Sequence, residues 1–159
     1  MVNQVRKASL IILLGFFFLL TSCGEKPFFD QAYSFPTDRW HVDDTARFEV
    51  QVEDTVSNFD FILTLRTRNT YKFSNLWVHI LSTAPDNTTS KVAQRINLAR
   101  PDGSWIGRTS GTLVESKLHY RTTSFPATGT YVFQLVQAVQ QNEITDIVDI
   151  SLRIVPVKK

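Results

Sequence analysis

From residue 47 onward, apolar and polar side chains alternate with little interruption. Over 47–52, Phe48, Val50 and Val52 fall on one face and Arg47, Glu49 and Gln51 on the other. That period of two is what a half-buried strand requires, because successive side chains point to opposite faces. Residues 59–67 repeat the pattern, with Phe59, Phe61, Leu63 and Leu65 inward. Further strands are predicted over 73–81, 91–98 and, more briefly, 118–122, while 130–139 and 144–155 are the longest and the richest in β-branched residues. The runs are separated by Arg68-Asn69-Thr70, Pro85-Asp86-Asn87, Pro101-Asp102-Gly103, Pro126-Ala127-Thr128-Gly129 and Gln141-Asn142-Glu143. These are turn sequences with a mechanism, since Pro presets φ while Gly and Asn accept positive φ. No window of about ten residues carries a helical stripe. The pattern specifies an all-β chain: a single antiparallel β-sandwich of about seven to eight strands, immunoglobulin-like in architecture but without the cysteine pair of a true immunoglobulin domain.

The beginning of the chain follows other rules. Arg6 and Lys7 form a positive segment, and Leu10 to Leu20 form an apolar run that closes on small residues, the layout of a secretory signal. The run is about half the length a membrane-spanning helix needs, so it reads as removable. Leu20-Thr21-Ser22-Cys23 matches a bacterial lipobox, in which the cysteine thiol is diacylated before cleavage on its amino side. The chain therefore divides into a cleaved lipoprotein signal peptide at 1–22, a lipidated tether at 23–44, and the sandwich domain at 45–159. The tether contains Pro27 and Pro36 and is expected to pack in part through Phe28, Phe29, Tyr33 and Phe35. Gly24-Glu25-Lys26-Pro27 gives no strong acidic export signal, which favours an outer-membrane protein facing the periplasm.

Processing also changes the charge argument. The chain has 17 Lys and Arg against 15 Asp and Glu. Loss of Arg6 and Lys7 with the signal leaves 15 of each, so bulk charge gives no reason to expect nucleic acid as a partner. Cys23 is the only cysteine, which excludes disulfides, a cysteine metal site and a cysteine nucleophile in the domain. The mature length suffices for one domain that buries roughly two-thirds of its extended-chain surface without staples.

The chemistry that can be sought by motif is thin. His41, His79 and His119 are not spaced for metal ligation. No Gly-x-Ser-x-Gly elbow, His-Glu-x-x-His motif or phosphate-cradling glycine loop is present. Carboxylates such as Asp43, Asp44, Asp54, Asp60, Asp102 and Glu115 are scattered, and nothing singles out a pair for acid–base work. The sequence does not read as an enzyme and implies no cofactor. Trp40, Trp77 and Trp105, with Tyr71, Tyr120 and Tyr131 nearby in the pattern, carry more weight. Exposed flat aromatics on a sandwich serve as a protein hot spot or a sugar platform. The alternative is that Trp77 and Trp105 fill the core or brace a loop.

Arg68-Asn69-Thr70-Tyr71-Lys72-Phe73-Ser74-Asn75-Leu76-Trp77 resembles the central signature of the GldH family of gliding-motility lipoproteins of Bacteroidetes. Leu98-Ala99-Arg100-Pro101-Asp102-Gly103-Ser104-Trp105-Ile106-Gly107 resembles the family's Gly-x-Trp-x-Gly turn. Phe125-Pro126 with Gly129-Thr130-Tyr131, and Asp149-Ile150-Ser151-Leu152-Arg153-Ile154, match later segments in order, as do Phe29-Asp30, Phe35-Pro36 and Trp40 upstream. Two departures stand out: Val139-Gln140 replaces the usual Met-Arg, and Ser151 replaces Gly. The resemblance implies an envelope lipoprotein of the gliding machinery, coupled to type IX secretion, that supports other motility lipoproteins and is not an enzyme. It makes Tyr71, Phe73, Asn75, Trp77 and Trp105 the candidate interaction surface. The membrane, through Cys23, and other gliding-motility lipoproteins are the expected partners. The competing expectation is a glycan-binding sandwich that uses the same tryptophans. Asp44-Thr45-Ala46 and Asp54-Thr55-Val56 resemble the O-glycan acceptor pattern of that phylum, which makes Thr45 and Thr55 candidate acceptors.

Overall fold

The computed structural model describes residues 26–122 and 124–157, so the signal segment and Cys23 lie outside the described residues. The strands in chain order are β1 (Phe29–Ser34), β2 (Arg39–His41), β3 (Ala46–Val52), β4 (Phe59–Arg68), β5 (Asn75–Thr83) and β6 (Thr89–Asn97). They are followed by β7 (Arg108–Ser110), β8 (Leu113–Thr122), β9 (Gly129–Gln137), β10 (Glu143–Thr145) and β11 (Ile147–Pro156). One sheet has the order β1-β11-β4-β8-β7, the facing sheet β3-β9-β5-β6, and β2 pairs with β10 as a two-stranded ribbon. All pairings are antiparallel. The all-β sandwich expected from the alternation is present, with eleven short strands. Within it, chain-consecutive strands cross repeatedly between the two sheets, which gives the interleaved order of a double Greek key jelly roll.

Alternation explains which faces meet. Ala46, Phe48, Val50 and Val52 of β3 are buried while Arg47, Glu49 and Gln51 are exposed. Within the five-stranded sheet, Leu63 and Leu65 of β4 lie in register with Leu152 and Ile150 of β11, all buried. With Phe59, Leu76, Val78, Ile96, Leu135 and Ile154 they form one continuous core. No disulfide contributes to it, so apolar burial at about 25 cal/mol per Å² is the main stabilising contribution.

The region expected to lead from the lipid to the domain contributes two strands. β1 adds to the edge of the five-stranded sheet, in register from Phe29 opposite Ile154 to Ser34 opposite Asp149. Phe35 stacks on the fully buried Trp40 with ring centroids 4.5 Å apart, and the indole Nε1 donates to the Asp44 carbonyl at 2.9 Å. The sandwich thus begins upstream of residue 45.

The predicted strand 144–155 is broken into β10 and β11 at Asp146, whose φ is +66°. A short polar side chain tolerates that left-handed conformation. β8 begins at Leu113, upstream of the predicted 118–122, because Val114 and Ser116 are its buried positions there.

The registers also define two ends of the sandwich. Phe29, Val52, Phe59, Gly129 and Pro156 lie at the end where the described chain begins. At the opposite end lie Arg68, the start of β5 at Asn75 and the close of β9 at Gln137.

Candidate interaction site

Residues 69–74 link β4 to β5 at the far end, and the chain's aromatic segment gathers there. The Tyr71 amide donates to the Arg68 carbonyl at 3.1 Å, closing a turn that folds the Tyr71 ring inward. Only 6 % of Tyr71 is exposed, and its hydroxyl donates to the Asn75 carbonyl at 3.3 Å. Burial pushes its phenol up to about 12, so it is a neutral hydroxyl at physiological pH. Phe73 packs edge-on against it at 5.6 Å and leaves 49 % of its own surface in solvent.

The two rings form one wall of a pocket of about 380 Å³, which is completed by Ser74, Asn75, Val139, Gln140, Gln141 and Ile144. Its second lip, residues 138–142, is held from below by Gln137, a buried polar residue at the end of β9. The Gln137 side-chain amide donates to the Gln141 carbonyl at 2.8 Å, and its oxygen accepts from the Val139 amide at 3.0 Å. The Ala138 amide donates to the Trp77 carbonyl at 2.9 Å, which ties the same lip to β5. No charged side chain lines the pocket. It is built to receive an apolar or aromatic group, with amide and hydroxyl groups around the rim.

Of the five candidate residues, Tyr71, Phe73 and Asn75 meet at this pocket. Trp77 lies two residues along β5 from Asn75, on the outward face of the four-stranded sheet, and is 43 % exposed. Trp105 is elsewhere. It is half-buried against the core on the crossover between β6 and β7, where it bridges Ala99, and its carbonyl accepts from the Arg100 guanidinium at 3.0 Å. Trp40 belongs to the core. A sugar platform made of the three tryptophans therefore has one well-exposed ring. Thr45 and Thr55 are half-buried, at the start of β3 and in the loop before β4 respectively. The Thr55 loop is shaped by Asp54, whose carboxylate accepts from the Val56 and Ser57 amides at 2.8 and 2.9 Å. Hydrogen bonds from Ser57 and Val56 hold the Asp54 carboxyl below its ordinary value.

The outward face of the five-stranded sheet carries a charge ladder that no sequence motif marks. Arg66 on β4 and Asp149 on β11 are opposite in register and form a bidentate pair, with Nε to Oδ1 at 2.8 Å. The pair holds the Arg66 guanidinium above its ordinary value. Asp30 and Arg153, and Glu115 and Lys117, continue the ladder at 3.7 and 2.9 Å. The closing Asp149 to Ile154 segment is thus a structural strand, with the carboxylate and Arg153 outward and Ile150, Leu152 and Ile154 in the core.

Comparison with known proteins gives a consistent assignment. A family profile described as GldH lipoprotein matches residues 27–154. A gliding motility lipoprotein GldH homolog of Christiangramia forsetii is 28 % identical over 154 residues, covering 92 % of this chain and 94 % of its own. The gliding motility lipoprotein GldH of Flavobacterium johnsoniae is 30 % identical over 139 residues, covering 87 % and 85 %. Among solved structures, a protein of Sulfurospirillum deleyianum aligns with a TM-score of 0.37 at 10 % identity, over 82 % of this chain and 99 % of that one. A family 35 carbohydrate binding module of Clostridium thermocellum aligns with a TM-score of 0.36 at 12 % identity, over 78 % and 97 %. Both structural likenesses are too distant to bear on function. The profile spans most of the described sandwich, and on that ground the chain belongs to the GldH lipoprotein family.

Proposed function

We propose that this protein is a lipid-anchored component of the gliding-motility machinery. Tethered to the outer membrane through Cys23 and facing the periplasm, it supports assembly or stability of the motility and type IX secretion complex. The observation that carries this reading is the position of the aromatic pocket. Only residues 24–28 separate Cys23 from β1, which begins at Phe29. The lipid therefore holds the Phe29 end of the sandwich close to the membrane. Strands of ten residues rising about 3.3 Å each then place the Tyr71–Phe73 pocket roughly 30 Å further out, where other envelope lipoproteins can reach it. Acyl chains contribute about 0.8 kcal/mol per buried CH₂, and several acting together supply firm attachment without a spanning helix.

The chemistry of the pocket favours binding over catalysis. Its one titratable lining side chain is Tyr71, which stays protonated up to about pH 12 and is no general base at neutral pH. The test is a deletion of the gene in its native bacterium, complemented with wild type or with Cys23→Ala. Colony spreading, type IX cargo secretion and the abundance of other motility lipoproteins are then scored. Loss of these functions, restored by wild type alone, is the expected result. A deletion strain that spreads and secretes normally overturns the role.

A further inference from the structure

We propose that β6 is a docking edge for an extended, acidic segment of a partner protein, which adds to the four-stranded sheet as a fifth strand. β6 lies at the limit of its sheet, and among the described residues its sole strand partner is β5, in unbroken register from Thr89 opposite Thr83 to Asn97 opposite Asn75.

The direction of its backbone groups follows from the bonds at both ends of the hairpin. The Ala84 amide donates to the Thr88 carbonyl at 2.9 Å, and the Leu98 amide to the Ser74 carbonyl at 2.8 Å. Those two pairs are hydrogen-bonded ones, and hydrogen-bonded and open pairs alternate along an antiparallel ladder. Thr89, Lys91, Ala93, Arg95 and Asn97 must then turn their N–H and C=O groups away from β5, toward the open edge. Two independent bonds agree. The Arg95 carbonyl is taken by the side-chain amide of its own neighbour Gln94 at 2.7 Å, and the carbonyl of Trp77, opposite Arg95, is engaged on the other side by Ala138.

Proteins blunt such edges by shortness, proline, bulges or charge. β7, the edge of the facing sheet, is three residues long, and β3 pairs its own Arg47 with Glu49 at 2.7 Å. β6 is nine residues long, without proline or a register shift, and its only charges are Lys91 and Arg95. Neither makes an ion pair among the described residues.

Those two cations choose the occupant. Antiparallel pairing of β6 with a second copy, centred on Ala93, sets Lys91 against Arg95 twice, and like charges directly opposite are destabilising. The same positions favour a strand that carries carboxylates two residues to either side of its centre. On the inner face Val92, 54 % exposed, offers such a strand an apolar side chain to pack on. Main-chain bonds would supply affinity and the charges would supply selection.

The test uses the full chain in detergent micelles. The probe is a synthetic nine-residue peptide of alternating Thr and Val, with glutamates opposite Lys91 and Arg95, and a matched peptide carries lysines there. The acidic peptide is expected to bind and to slow amide exchange at Lys91, Ala93 and Arg95. The double variant Lys91→Glu/Arg95→Glu should bind it about tenfold more weakly or worse and accept the basic peptide in its place. Ala93→Pro removes an outward N–H without breaking a bond to β5, so it should abolish binding while the rest of the amide spectrum is kept. Lys91→Glu alone makes the edge self-complementary and should increase self-association over the wild-type chain in sedimentation. Absence of binding, indifference to the charge swap, or protection at an edge other than β6 overturns the proposal.

Discussion

Arg66 and Asp149 form a pair whose halves are unequal. The Asp149 side chain is 2 % exposed and that of Arg66 43 %. Removing the guanidinium strands a buried carboxylate, whereas removing the carboxylate leaves an arginine that can still reach water. Removing one partner so that a buried charge is left uncompensated typically costs about 3–5 kcal/mol. Chemical denaturation should therefore show Arg66→Met losing about 3 kcal/mol and Asp149→Asn clearly less. Equal losses would mean that an unpaired Arg66 gains nothing from its access to water. Tyr71 gives a pH signature. Its folded-state value, about 12, lies above the ordinary 10 of a free phenol. The neutral form is thus favoured by folding, the stabilisation is complete below pH 10, and it is lost as pH rises toward 12. Absorbance titration should show a tyrosine ionising near pH 12 that disappears in Tyr71→Phe. A transition near 10 in its place would mean that the ring is solvated.

At the level of elements, β3 and β4 were legible because apolar residues recur at every second position, throughout β3 and from Phe59 to Leu65 in β4, and one face had to be buried. β1 was not, since Gln31 sits among its inward positions and only Phe29 and Tyr33 mark the buried face. β2 and β7, at three residues each, are shorter than any periodicity can reveal. The same logic separates the parts of the site. Tyr71, Phe73 and Trp77 announced themselves as aromatics in a turn-rich segment. Gln137 and Asp149 did not, because a buried polar residue looks like a loop residue until its partners are seen. The Trp105 turn leads to Gly107, where a side chain would place a Cβ 2.3 Å from the Glu115 carbonyl oxygen. Gly107→Ala must push β7 away from β8, and a loss of about 1–3 kcal/mol is expected in thermal or denaturant unfolding. An unchanged midpoint would show that β7 can shift freely.

For the whole molecule, the proposed function assigns attachment and partner contact to opposite ends of the jelly roll. The end that carries β1 lies within a few residues of Cys23, the proposed site of lipidation, and the pocket sits at the opposite end, with Trp77 nearby on the outer face of β5. A rigid sandwich between the two fixes the height at which the aromatic surface is offered. Phe73 and Trp77 are each about half exposed, so their joint removal should cost the fold only about 2 kcal/mol. The most direct measurement is colony spreading of a deletion strain complemented with Phe73→Ala/Trp77→Ala at wild-type abundance. We predict that the variant is folded, lipidated and unable to restore spreading. Full restoration would contradict the claim that this far aromatic surface is where the protein meets its machinery.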